Sequence, residues 1–191
     1  MERLFMTWYY LKAALLDIFR LWQRELLPAL LCGAAAAGIY IAFSDRTAKA
    51  GKQTGGKRRT AAAFLLGMYL LYLFSAAFLT REAGSGKGIN LKLFSTIYPY
   101  GRQYAIENMF MMMPLGLLLP AVFQAHRKKS VGLLTGFLLA LGIELTQLVT
   151  GLGNFELDDI LFNGLGEIAG WLIFCGLHRI IYPQGPVPRG K

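Results

Sequence analysis

Apolar residues fall into five blocks separated by short polar stretches. Four of them, 61–80, 106–125, 130–150 and 160–181, approach the ~20 residues that cross ~30 Å of hydrocarbon. A fifth block, 26–43, is shorter and rich in Ala and Gly. The expected fold is therefore all-α, a polytopic integral membrane helical bundle of about five spans. Residues 1–24 alternate aromatic and aliphatic side chains with Arg3, Lys12, Asp17, Arg20 and Arg24. That carries too much charge for a span and fits either an amphipathic helix in the headgroup plane or a soluble helical extension. The basic, Gly-rich run near 47–60 has no apolar period and is expected to be a flexible linker. The chain divides into an N-terminal amphipathic segment with a first span (1–46), that linker (47–60), a four-span core (61–181) and a tail (182–191). No secretory signal pattern opens the sequence, so the N-terminus is expected to stay uncleaved.

Composition sharpens this picture. Hydrophobic residues make up 55% of the 191, and the mean hydropathy is +0.44, as in integral membrane proteins. A net charge of +9 would point to nucleic acid in a soluble protein, but here the basic residues are dispersed through loops, and the partner is the bilayer. With five spans, 12 Lys and Arg fall on one side and 8 on the other. The richer side, with 46–59, 127–129 and the C-terminus, is expected to be cytoplasmic, which leaves the acidic loop 151–159 outside. Cys32 and Cys175 lie within spans as small apolar residues. His126 and His178 lie at span ends remote from the acidic residues, so neither metal nor cofactor is expected.

The chemistry is concentrated in carboxylates and amides beside hydrocarbon, where such groups are costly and mark functional sites. Glu144 lies about 9 Å below the outer end of its helix at 1.5 Å per residue, and Gln147 one turn nearer the surface. Asp159, Asn163 and Glu167 follow at four-residue spacing in the last span. Glu107 and Asn108 open the third span from the same side. Glu144 with Gln147, and Asp159 with Asn163 and Glu167, each share a helical face. Gly132, Gly136 and Ala140 lead to Glu144, and Gly166 and Gly170 repeat a small-residue spacing that brings helices close. The polar faces are expected to meet each other, away from lipid. Interhelical hydrogen bonding alone would account for Gln147 and Asn163, and helix capping for one of Asp158 and Asp159, but not for both together with Glu156. Pro114 is expected to kink the third span, while Met111, Met112 and Met113 serve as adaptable packing.

In order, Asn108, Met112-Met113-Pro114-Leu115-Gly116, Ile143-Glu144 with Gln147, Asp158-Asp159, Asn163 and Gly166 resemble the signature of the VanZ-like family over about 61–181. One departure is Gly151-Leu152-Gly153-Asn154-Phe155, where members often carry an Arg ahead of the paired aspartates. The resemblance implies a bacterial cytoplasmic-membrane protein of the cell envelope, in a family whose name-giving member is associated with resistance to teicoplanin, a glycopeptide with a fatty acyl chain. The ligand-binding candidates are Asn108, Glu144, Gln147, Asp158, Asp159, Asn163 and Glu167. In the leading reading they engage a lipoglycopeptide or lipid-linked envelope ligand without catalysis. The alternative is an enzyme using Glu144 and Asp159 as acid and base, although no nucleophile motif accompanies them. A proton-coupled carrier and a purely structural partner are further readings.

Overall fold

A computed structural model describes residues 2–49, 56–84, 86, 88–95 and 102–181. The expected tail (182–191), the middle of the basic linker (50–55) and the aromatic run 96–101 lie outside the described residues. Five long helices form the bundle: α1 (Glu2–Lys49), α2 (Lys57–Phe74), α3 (Arg102–Val122), α4 (Lys129–Thr150) and α5 (Leu157–Ile181). Two short strands, β1 (Ile89–Asn90) and β2 (Phe155–Glu156), are the only others with ladder pairing among the described residues. All five helices contain a stretch long and apolar enough to span: Gln23–Ser44, Lys57–Leu79, Arg102–Val122, Lys129–Thr150 and Leu157–Ile181. The protein is a multi-pass membrane helical bundle.

The N-terminal segment and first span are one helix. At 48 residues, α1 is about 72 Å long, more than twice the hydrocarbon thickness, and runs through Pro28 without a break. Its early turns pack on the bundle. Tyr10 and Ala14 are buried, and Asp17 accepts a hydrogen bond from Gln103 Nε2 at 3.0 Å. Farther along, Gly33 lies against Phe64 and Met68, and Gly67 against Cys32 and Ala36, so α1 and α2 meet through missing side chains. Helix extends into both ends of the expected linker, since α1 reaches Lys49 and α2 starts at Lys57.

The apolar core joins α2, α3 and α4 through Leu66, Leu73, Met112, Leu115, Leu119 and Ile143. Helix α3 remains a single helix despite Pro114 and Pro120. It packs most extensively on α5 because three glycines remove the barrier. Added Cβ atoms at Gly166 and Gly170 would strike the carbonyl oxygens of Met109 and Met113, and one at Gly116 would strike that of Glu167. The small residues of α4 serve a different purpose. Gly136 and Gly132 make room for the side chains of Glu167 and Trp171. The expected α4–α5 small-residue seam is thus divided, with the α5 glycines turned to α3 and the α4 glycines accommodating side chains from α5.

At one end of the bundle, which we call the loop end, the two connections clasp each other. Ile89 pairs with Phe155 and Asn90 with Glu156 in parallel, and Gly86 bridges Leu152. The Gly84 N–H donates to Gly151 O at 2.8 Å. Helix α4 ends in a Schellman turn, with Gly151 at φ 71° and the Leu152 N–H donating to Gln147 O at 2.9 Å. A glycine takes that left-handed conformation at little cost.

Candidate functional site at the loop end

Beneath this clasp, polar side chains from α3, α4 and α5 come together. Glu144, Gln147, Asp158, Asn163 and Glu167 are each at most 2% exposed, and Asn108 is 9% exposed. Burial on this scale demands internal partners. Glu144 Oε2 accepts the backbone N–H of Glu156 at 2.8 Å, which fastens α4 to the strand before α5. Asp159 accepts a hydrogen bond from Asn108 and interacts electrostatically with Glu144 and Glu156. Glu107, one residue before Asn108, accepts from Gln103 Nε2 at 2.8 Å.

Gln147 reaches a different element. Its Nε2 donates to Ala77 O at 2.9 Å, and Ala77 belongs to a π-helical turn, Ser75–Leu79, that closes α2. Such turns recur at functional sites; here one supplies the carbonyl that holds Gln147. Among the described residues, Gln147 Oε1 and Asn163 Oδ1 are buried without a hydrogen-bond partner.

Asp158 acts on the clasp. Its Oδ1 accepts the Phe94 N–H at 2.6 Å and holds Phe94 at φ 61°, a conformation uncommon outside glycine. Asn154 does similar work, with Oδ1 accepting the Gly88 N–H at 2.9 Å. Burial, followed by the neighbouring charge of Asp158, pushes the Glu156 carboxyl above the ordinary range. Glu167 sits one turn below Asn163, against the Cα of Gly136. It forms the polar spot in an otherwise apolar cleft of 370 Å³ between α4 and α5, which Leu93 of the loop and Leu133, Phe137, Ile160 and Leu161 also line.

The residue that sequence reasoning missed is Arg81. Counted there only as a loop cation, it interacts electrostatically with carboxylates from several segments, Glu107 of α3, Glu144 of α4, Glu156 of β2 and Asp159 of α5. An added Cβ at Gly153 would meet Arg81 Nη1 at 2.8 Å and Gln147 Oε1 at 3.4 Å, so glycine keeps the space open for both. The available signal was a cation directly after a span, on the same side as the acidic loop. No group of three or more His, Cys, Asp or Glu able to hold a metal ion occurs among the described residues. His126 and His178 lie at the opposite end, where burial pushes His126 down.

A model of the VanZ/LLP1 family matches residues 60–181, well over half of the chain. The chain belongs to the VanZ/LLP1 family. No match was found among curated proteins or solved structures. The matched region starts within the first turn of α2 and leaves α1 outside it, so the buried polar cluster and Arg81 lie wholly within the VanZ/LLP1 portion. The arginine missing from the loop before the paired aspartates has a counterpart in space, because Arg81 brings a guanidinium to that region from the end of α2.

Proposed function

We propose that this VanZ/LLP1 protein binds a lipid-tailed envelope ligand at the loop end and thereby lowers the access of lipoglycopeptides such as teicoplanin to their target, without catalysis. The observation that carries the reading is the adjoining of two environments. A buried set of carboxylates and amides lies beside an apolar cleft of 370 Å³ that reaches Glu167. An amphiphile needs both, a polar seat for its headgroup and an apolar trough for its chain. The unpartnered oxygens of Gln147 and Asn163 favour a headgroup rich in hydrogen-bond donors, such as amines, amides or hydroxyls. In this reading the loop end faces outward and the C-terminus is cytoplasmic, in keeping with the basic residues at the other end.

A second reading rests on Glu144 of α4 and Asp159 of α5, two carboxylates near enough to interact electrostatically. Two interacting carboxylates can divide acid and base roles, which would make the protein an enzyme acting on a lipid or envelope component.

Susceptibility to teicoplanin and vancomycin in a Gram-positive host expressing the chain tests both. Protection against teicoplanin alone is expected, lost on Glu144→Gln or Asp159→Asn at matched membrane abundance. Equal protection against the non-acylated drug would remove the acyl-chain role. Turnover of a lipid substrate that collapses in the same two variants would favour the enzyme.

A further inference from the structure

The opposite end of the bundle carries a second amphipathic cavity, of 510 Å³, between the start of α2, the end of α3 and the end of α5. Arg58, Arg59 and Arg127 stand at its rim, and its walls include Leu117, Phe174 and Leu177. We propose that this cleft binds an anionic phospholipid, with the headgroup held by the three arginines and the acyl chains lying against the apolar walls.

Depth is the first argument. Arg58 and Arg59 belong to the first turn of one span, and Arg127 follows the end of another. The guanidinium groups therefore sit at headgroup level while Leu117 and Leu177 lie below it, matching the polarity profile of a lipid molecule. Basic pockets between membrane helices bind anionic headgroups in this way.

Charge is the second. None of the residues lining the cleft is acidic. Helix α2 starts after Gly56 without a side-chain cap and has no acidic residue in its first turn, so the positive end of its dipole adds to the attraction for a phosphate. Arg127 is already oriented. Its Nε donates to Pro120 O at 3.2 Å, and its guanidinium carbon lies 5.8 Å from the centre of the Phe174 ring. A guanidinium fixed on one side presents its remaining N–H groups as a fork suited to phosphate oxygens.

Size and lining separate a lipid from a small anion. The volume falls in the range of about 300–1,000 Å³ typical of organic ligands, and inorganic phosphate would leave the apolar walls uncovered. The site lies at the far end of the bundle from the carboxylate cluster and does not depend on the function proposed for that cluster.

Native mass spectrometry of the full chain in neutral detergent tests the proposal, with phosphatidylglycerol, phosphatidylcholine and inorganic phosphate added separately and in competition. Retention of one phosphatidylglycerol in clear preference to phosphatidylcholine is expected. Binding should weaken at least about tenfold in Arg127→Gln, the loss that one charge-assisted hydrogen bond carries, and at least as much in Arg58→Gln/Arg59→Gln. The double variant Lys12→Gln/Lys92→Gln, which removes two exposed charges elsewhere, should bind like the unmodified protein. Equal retention of the two lipids, undiminished binding in either arginine variant, equal loss in the lysine control, or displacement of phosphatidylglycerol by equimolar phosphate would each overturn it. The lipid comparison on the unmodified chain requires no variant to fold.

Discussion

At Arg81 one exposed guanidinium faces carboxylates delivered by α3, α4 and the β2–α5 stretch. Exposure screens each pair, so a single interaction is worth about 0.2–1 kcal/mol, but together the interactions involve three elements. Replacing Arg81 by Gln should lower the thermal midpoint in detergent. Adding Glu156→Gln should recover part of the loss, with a coupling of about 0.5–1 kcal/mol in a double-mutant cycle. Strict additivity would remove Glu156 from the network. Glu156 also sets a pH dependence. Its folded-state pKa is raised by burial and by Asp158, so its contribution to stability is fully present below the ordinary value of 4.5 and is lost as pH rises through the folded value. The melting temperature of the unmodified chain should therefore fall, relative to that of Glu156→Gln, as pH rises across this window. A constant difference between the two melting curves would refute the assignment.

Among the elements, the α3–α5 pair is held by absent side chains. Both contact atoms at Gly166 and Gly170 are backbone carbonyls, which cannot swing aside as a side chain can. Gly170→Ala is expected to cost at least about 1–3 kcal/mol, the range for overpacking, read as a lower melting temperature or loss of folded protein. Gly164, on the same helix with nothing within 4 Å of an added Cβ, should accept Ala without loss and gain up to about 1 kcal/mol. Similar losses at the two positions would mean that helix propensity, not contact with α3, governs both. The π-helical turn at the end of α2 has no signature in its residues, Ser75 to Leu79, which read as a continuation of the span. It is defined by its hydrogen bonds, including Thr80 N–H to Ser75 O at 3.2 Å.

For the whole molecule, polarity is divided between two ends, with carboxylates under the clasp and arginines at the other side. The proposed sidedness rests on the charge bias and can be measured. In a Cys32→Ala/Cys175→Ala background, a cysteine at Lys92 should react with an impermeant maleimide on intact cells, and one at Lys128 only after permeabilisation; the reverse pattern would invert the proposed orientation. The sequence by itself determined the helical class, the spans and most of the polar cluster, because charge in an apolar background is costly and visible position by position, and helical spacing places Glu144 with Gln147 and Asp159 with Asn163 and Glu167 on common faces. It also carried the order of motifs that the VanZ/LLP1 match covers. Only the tertiary structure decided what those faces meet. It turned the α5 glycines to α3, used the α4 glycines to seat Glu167 and Trp171, committed Asp158 to the loop at Phe94, and brought Arg81 to the carboxylates from far away in sequence. Periodicity reports which side of a helix is polar, but the partner across the gap depends on how helices distant in the chain pack, and one dimension holds no record of that distance.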